Sequence, residues 1–423
     1  MAERPGAGPA RVEEVVSPGG IRAYLVSERS VPFLSMELCF RAGAVYDPAD
    51  RAGLAHLCAG LLDEGAGPYD SQAFQRELED NAIKLACEVD QDELRIRLKT
   101  LTATREHAFE LLRLALLEPR FDPEPVERIR GQVLADLRRR ESDPNYVSTR
   151  AWYARAFDGH GYGRPIRGTP ETLARIRRED LRAVVAERLA RSELAIGVAG
   201  DIDAEELARL LDRTFLALPE RASRPPVAPV RPALGDTLVV PMPIPQSVVT
   251  FGRCGLRPSD PDYHAATIAN YVLGGGGFAS RLMEEVREKR GLAYSVYTYL
   301  ADMELAPLWL GGVATSNERV AQSIELVRAE VARLASGKVE ERELADAKTY
   351  LTGSFPLRLS TNDQLARMLV SMMVHGLGRD YLERRNALVE AVTFEDLERV
   401  CGRLYAGELL VTVAGRPEGL PGG

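Results

Sequence analysis

A chain of 423 residues with 54 Lys and Arg against 62 Asp and Glu has a formal net charge of −8, which argues against a nucleic-acid surface. Hydrophobic residues make up 45% and charged residues 27%, ordinary for a soluble globular protein, and no apolar run reaches the length of a membrane span. The length suits two or more domains with separate cores. The five cysteines, Cys39, Cys58, Cys87, Cys254 and Cys401, form neither a disulfide framework nor a CxxC pair.

Residues 1–13 are rich in Pro and Gly and read as a frayed end. The opening MAERPGAGPARVEE has no apolar h-region, so the chain as given points to the cytoplasm. A trimmed mature chain would read the same, which keeps the periplasm open. GIRAYLVSERSVPFLSMELCFRAGA predicts two strands around the break SERSVP. The segment from Asp47 to Ile83 predicts helix, Gly-rich turn, helix, and KLACEVDQDELRIRLKTL returns to strands. Helices are expected at 104–118 and 123–140, an irregular stretch at 143–168, further helices to Arg191, and a buried strand in ELAIGVAGD.

A repeat emerges here. Residues 179–200 read EDLRAVVAERLARSELAIGVAG and residues 395–415 read EDLERVCGRLYAGELLVTVAG. Each is EDL, an amphipathic helix, and a strand ending in V-A-G, and the triplets end at Gly200 and Gly415, about half the chain apart. Two unrelated helix-strand units would be unremarkable alone, but the matched ends and the half-chain offset indicate duplication. The Pro-rich stretch 218–236 reads as a semi-rigid linker between an N-terminal half, 14–217, and a C-terminal half, 237–416. The second half predicts strands in TLVVPMPIPQSVVTFGRCGL, a helix in YHAATIANYVLGG, strands LAYSVYTYL and LWLGGVAT, and helices near 316–336, 339–353 and 361–375. Both halves are expected to be α+β, helices packed on one sheet.

The stretch Gly274 to Leu300, GGGGFASRLMEEVREKRGLAYSVYTYL, concentrates chemistry. Gly274, Gly275, Gly276 and Gly277 free the backbone, Ser280 is placed to cap a helix to about Arg290, and Gly291 is placed to end it. The corner that follows brings Arg287, a planar fork of donors, toward Tyr294, a hydroxyl on a rigid arm. The alternative is a surface cation and a core aromatic. GGGGFA also fits G-x-G-x-x-A, but TIANYVL before it reads as helix, so the βαβ context of a dinucleotide site is missing. There is no Walker A sequence and no G-x-S-x-G.

With the Gly-rich loop, Ser280-Arg281-Leu282 and R-x-x-x-G-L-x-Y at Arg287, Gly291, Leu292 and Tyr294, this stretch resembles the second-half signature of the pitrilysin/insulinase-type metallopeptidases, which include the mitochondrial processing peptidases. The resemblance covers nearly the whole chain. It implies two homologous sandwich halves, with Arg287, Tyr294 and the Gly274–Gly277 loop holding peptide substrate. In the family the first-half helix carries H-x-x-E-H, two His that bind zinc and a Glu that activates water. Here the framed segment is Gly53-Leu54-Ala55-His56-Leu57-Cys58-Ala59-Gly60, so Ala59 stands for the general base and Gly60 for the second His. Asp136 aligns with the third ligand. One His and a distant Asp cannot make a zinc site, and Cys58, two residues from His56, points away from it on a helix. His56 is thus expected to pack or hydrogen-bond locally. His107, His160, His264 and His375 have no second ligand at metal spacing and read as structural.

The resemblance implies the non-catalytic, substrate-binding subunit of a heterodimeric zinc metallopeptidase, inactive alone, with zinc in a catalytic H-x-x-E-H partner and none expected in this chain. A peptidase-derived structural scaffold, as in the core proteins of the bc1 complex, is the alternative. A peptidase with a rebuilt site is a third reading, disfavoured because nothing supplies the general base.

Overall fold

The computed structural model describes residues 11–420. Residues 1–10 of the expected frayed end lie outside the described residues, and Glu13–Val16, which that expectation reached, is a strand. The first sheet comprises β1 (Glu13–Val16), β2 (Arg22–Ser27), β3 (Phe33–Phe40), β4 (Lys84–Val89), β5 (Leu94–Leu101) and β6 (Leu194–Gly200), in the order β1-β2-β6-β3-β5-β4. The second comprises β7 (Thr237–Pro241), β8 (Gln246–Cys254), β9 (Ala293–Ala301), β10 (Leu308–Ser316) and β11 (Leu410–Gly415), in the order β7-β11-β8-β10-β9.

The helices of the first half are α1 (Leu54–Ala59), α2 (Ser71–Asp80), α3 (Arg105–Leu117), α4 (Pro123–Arg140), α5 (Pro144–Ala156), α6 (Pro170–Leu173), α7 (Arg178–Arg188) and α8 (Ala204–Phe215). Those of the second are α9 (Tyr263–Asn270), α10 (Val320–Ala335), α11 (Glu341–Ser354), α12 (Asn362–Val374), α13 (Tyr381–Glu390) and α14 (Phe394–Tyr405). The fold is α+β, helices packed on each of two sheets.

The duplication is visible in the pairing. β6 runs parallel to β2 and antiparallel to β3, and β11 runs parallel to β7 and antiparallel to β8. The glycine ending each V-A-G does the same steric work. A Cβ on Gly200, at φ +138°, would stand 2.4 Å from the Phe33 carbonyl oxygen, and one on Gly415 would stand 2.1 Å from Ser247 Oγ. Neither place has room for a side chain.

Contacts group the chain into two compact units. One contains the residues to Ala135, Pro165–Val227 and Pro356–Arg384; the other contains Asp136–Arg164, Ala228–Phe355 and the residues from Arg385 on. Each unit therefore includes a helix from the opposite half of the sequence. In the first, α12 lies on β3 and β6: Asp363 accepts from Ser35 and pairs with Lys99 at 3.1 Å, and a Cβ on Gly197 would stand 2.3 Å from the Ala366 carbonyl oxygen. In the second, α5 lies on β8 and β11. Trp152 Nε1 donates to the Leu410 carbonyl at 3.0 Å, and Ser148 Oγ donates to Thr250 Oγ1 at 2.9 Å.

The expectation that 143–168 is irregular is corrected by α5. Asp143 caps it, accepting from Asn145 N at 3.0 Å, and Pro144 sits in its first turn. Its buried face is Ser148, Trp152 and Ala156, one large residue between two small ones. Such a face leaves almost no apolar stripe in the sequence.

Candidate functional site

In the first unit, the segment that resembles the zinc motif is tightly built but holds no catalytic groups. Gly53 and Ala55 donate their N–H groups to the Asp47 carboxylate, both at 3.1 Å, which fixes the start of α1. Asp47 in turn pairs with Arg188 of α7 at 2.9 Å, with both side chains almost wholly buried. His56 Nε2 faces Arg167 Nη1 at 2.7 Å. A guanidinium only donates, so the imidazole lone pair that a metal would need accepts from Arg167 instead.

Ala59 is buried, and a Cβ on Gly60 would stand 3.3 Å from Ile129 Cγ2 of α4, a tight contact in which the Ile129 side chain would have to give way slightly. Cys58 is buried with its Sγ 3.8 Å from the Leu181 carbonyl, and burial pushes its thiol up to about 12, far from a ready thiolate. The Asp136 carboxylate is engaged by Arg139 and, at 2.6 Å, by Arg140 Nε of its own helix. Among the described residues, no three His, Cys, Asp or Glu side chains gather as a metal would require.

The other histidines have local partners. His107 Nε2 lies 2.8 Å from Glu77 Oε2. His160 accepts the Tyr162 N–H at Nδ1 and donates from Nε2 to the Ala228 carbonyl at 3.1 Å. Burial holds His160 and His264 below the ordinary imidazole range. His375 ends α12, its N–H bonded to the Ser371 carbonyl.

In the second unit, the Gly-rich stretch makes a corner against β9, the edge strand of its sheet. The helix before it widens to a π-turn at Tyr271–Gly275, and the one after it is π-helical over Met283–Glu288. Such i→i+5 turns are rare and concentrate at functional places. Gly274 is buried against Thr298, a Cβ on Gly275 would stand 2.4 Å from Asn270 Nδ2, and one on Gly276 2.7 Å from the Tyr271 carbonyl oxygen. Gly277 adopts φ +58° with open space around it. Three glycines are thus required by close packing and the fourth by its backbone.

The expected Ser280 side-chain cap is not formed; its hydroxyl donates to the Gly277 carbonyl at 2.7 Å and so closes the glycine loop. Gly291, at φ +58°, ends the helix, with Leu292 N bonded back to the Val286 carbonyl at 2.9 Å. Arg281 is buried and structural. It grips Glu343 through two bonds of 2.6 Å and donates a third to the Lys338 carbonyl, also 2.6 Å.

This corner brings Arg287 and Tyr294 together through ring stacking. The guanidinium carbon lies 4.9 Å from the Tyr294 ring centre and 4.7 Å from that of Phe278. Its Nε also faces Glu288 Oε1 at 3.5 Å, a loose and exposed pair. Tyr294 is 82% exposed and Phe278 69% exposed, so the pair of rings holds the cation at the surface. Tyr297 and Tyr299 stack beside them on β9, ring centres 6.3 Å apart. Sequence patterns pass over Phe278 and Asn270. Asn270 Oδ1 accepts from Thr298 Oγ1 at 2.8 Å and from Trp309 Nε1 at 3.0 Å, tying α9 to β9 and β10. A large aromatic directly after four glycines was the available signal for Phe278.

Two α+β sandwich units, a first-half helix without a general base, and a second-half Arg–aromatic corner define a peptidase-like chain whose own catalytic apparatus is missing. The profile described as insulinase (peptidase family M16) matches residues 22–170, and that described as peptidase M16 inactive domain matches residues 175–351. The chain belongs to peptidase family M16, as an inactive homologue. It is 29% identical over 333 residues to the non-peptidase homologue YmxG of Helicobacter pylori, covering 78% of this chain and 77% of that one. It is 26% identical over 412 residues to an uncharacterised zinc protease of Mycobacterium leprae, covering 95% and 91%. The crystal structure of a peptidase M16 inactive domain from Pseudomonas fluorescens superimposes with a TM-score of 0.89 at 26% identity, covering 96% of this chain and 98% of that one.

Proposed function

We propose that this chain is the non-catalytic, substrate-binding subunit of a heterodimeric zinc metallopeptidase that degrades unfolded peptides in an enclosed chamber. Zinc and the general base come with a catalytic H-x-x-E-H partner. The observation that carries the reading is Arg287, held between the exposed rings of Phe278 and Tyr294 on an edge strand. The rings orient the fork without occupying its N–H groups, and β9 is the last strand of its sheet, beside which an extended peptide would lie. Arg287 donates to peptide carbonyls or a C-terminal carboxylate. The Tyr294 hydroxyl adds a second bond, and Gly277, with open space around it, lets the peptide backbone approach closely, while Gly275 and Gly276 hold the loop against Asn270 and Tyr271. Gly274, being buried, shapes the loop from behind.

The test mixes the purified chain with a candidate H-x-x-E-H chain from the same source and follows zinc content and peptide hydrolysis. Activity is expected only in the mixture. A charge-assisted bond shielded from water is worth roughly 1.5–3 kcal/mol, so Arg287→Ala should lower kcat/KM of the mixture by about 10- to 100-fold while the chains stay associated. Unchanged turnover in that variant removes the substrate-binding role and favours a scaffold.

A further inference from the structure

The first unit contains a cavity of about 260 Å³ between α12 and the part of its sheet formed by β3, β5 and β4. Strand register fixes which side chains share it. Ser35, Lys99 and Lys84 stand in one row across the three strands, and Glu37, Arg97 and Ala86 stand in the next. Side chains two apart on a strand share a face. Both rows therefore lie on the face that meets α12, as Ser35 and Lys99 do through Asp363. Arg367 follows Asp363 by one helical turn, on the same side of α12. Ala86 and Ala366, which also line the cavity, carry only methyl groups and leave space between the charges. The volume is just below the roughly 300 Å³ at which drug-sized sites begin, so the occupant is small.

One carboxylate on this wall is buried without a partner. Glu37 lines the cavity and is 4% exposed, and no hydrogen bond or ion pair joins its carboxylate to another described residue. Its oxygens are not sealed from the surface as Oε2 of Glu93 is, so the carboxylate is the part of Glu37 that the cavity reaches. Burial holds its carboxyl above the ordinary range, although the guanidiniums of Arg95, Arg367 and Arg97 draw it the other way. The cations are of two kinds. Lys99 pairs with Asp363 at 3.1 Å, and Arg97 pairs with Glu88. Lys84 and Arg367 line the cavity, are exposed, and pair with no carboxylate among the described residues. The unpaired charges of the wall are thus two cations and one anion. Glu37 and Lys84 lie two strands and two residues apart, about 10 Å across the sheet and about 7 Å along it, which leaves room for a molecule between them.

We propose that this cavity binds an acidic amino acid, with the ammonium group on the Glu37 carboxylate, the side-chain carboxylate on Arg367 and the α-carboxylate toward Lys84. Such a molecule carries one positive and two negative charges, the complement of the wall. Its ammonium gives Glu37 the partner that the fold withholds, and the Arg367 fork can hold a carboxylate through two parallel bonds. A phosphate would leave Glu37 unpaired beside a second anion, and a simple amine would add a third unpaired cation. The site lies wholly within the first unit, so it stands or falls apart from the reading of Arg287.

Calorimetry on the full chain with L-aspartate and L-glutamate tests this. At least one should bind and raise Tm. The N-acetyl form of the better ligand, which has no ammonium, and its side-chain amide should each bind about tenfold more weakly or worse. Glu37→Gln and Arg367→Gln should each weaken binding about tenfold or more, and Lys84→Ala about threefold. Arg367 is exposed and unpaired, so Arg367→Gln should keep the parent Tm, which shows that it is folded. Glu37→Gln should keep that Tm or raise it, since it removes an unpaired buried carboxylate. A dipeptide beginning with the same acidic residue should bind more weakly than the free amino acid; tighter binding would identify a peptide N-terminus as the natural source of the same ammonium and side chain. The proposal is overturned if neither acid binds, if the N-acetyl form or the side-chain amide binds as well as the free acid, or if folded Arg367→Gln keeps full affinity.

Discussion

Arg167 donates to His56 Nε2 at 2.7 Å, so the one histidine kept from the zinc sequence has its lone pair directed at a cation. A metal would have to displace that guanidinium and bring two further ligands. Ala59→Glu with Gly60→His writes H-x-x-E-H back into α1, but the new His meets Ile129 and His56 still faces Arg167. The double variant is expected to hold well under one zinc per chain by elemental analysis. Stoichiometric zinc would mean that residues 59 and 60 alone decide metal binding.

The Asp47–Arg188 pair should matter more to stability than any other ion pair near α1. It is almost wholly buried, and Asp47 also accepts from Gly53 and Ala55. Breaking a buried pair from one side leaves an unpaired charge, at a cost of about 3–5 kcal/mol. Arg188→Met is expected to lose stability of that order in urea unfolding. Arg209→Ala, which removes an exposed partner of Glu106, should change stability by under about 1 kcal/mol. A loss as small as that in Arg188→Met would show the pair to be compensated elsewhere.

Asp63, just after α1, supplies a pH signature. Burial raises its carboxyl to about 6, against an ordinary 3.8. The folded state therefore binds more protons than the unfolded state between those values, so this residue's contribution is fully present below about pH 4 and is lost as pH rises through about 6. Asp63→Asn should be more stable than the parent at about pH 7. A tenfold difference in proton affinity between folded and unfolded chain is worth about 1.4 kcal/mol, so the gain is at most about 3 kcal/mol, reduced because the carboxyl keeps some water contact. Urea midpoints measured near the two ends of this range should show a smaller parent-to-variant gap at the acid end. An equal gap at both would reject the raised carboxyl.

Strand alternation and helix caps make most of the two sandwiches legible in sequence, including Gly291 as a helix end and the repeat ending at Gly200 and Gly415. The exchange of α5 and α12 is not legible, because which sheet a helix joins depends on pairs such as Ser35–Asp363 and Trp152–Leu410 that lie hundreds of residues apart. Around the corner on β9, residue types point to Arg287 and Tyr294, but their contact through Phe278 depends on three-dimensional packing.

Asn270 is the residue on which the shape of that corner turns. It receives Thr298 and Trp309 and donates from Nδ2 to the Thr298 carbonyl at 3.3 Å, while Gly275 packs closely on the same amide. Asn270→Ala would strand the Trp309 N–H and the Thr298 hydroxyl in the core, each at roughly 1–3 kcal/mol. It would also open space beneath the glycine loop. The variant is expected to lose about 2–5 kcal/mol by urea unfolding, and Thr298→Val, which removes only one donor, distinctly less. Arg287→Ala removes one surface cation–π contact, worth about 0.5–1 kcal/mol, so it should lose little stability while losing peptide binding. If Asn270→Ala were as stable as Arg287→Ala, the loop would be held by the glycine backbone itself and not by the Asn270 amide.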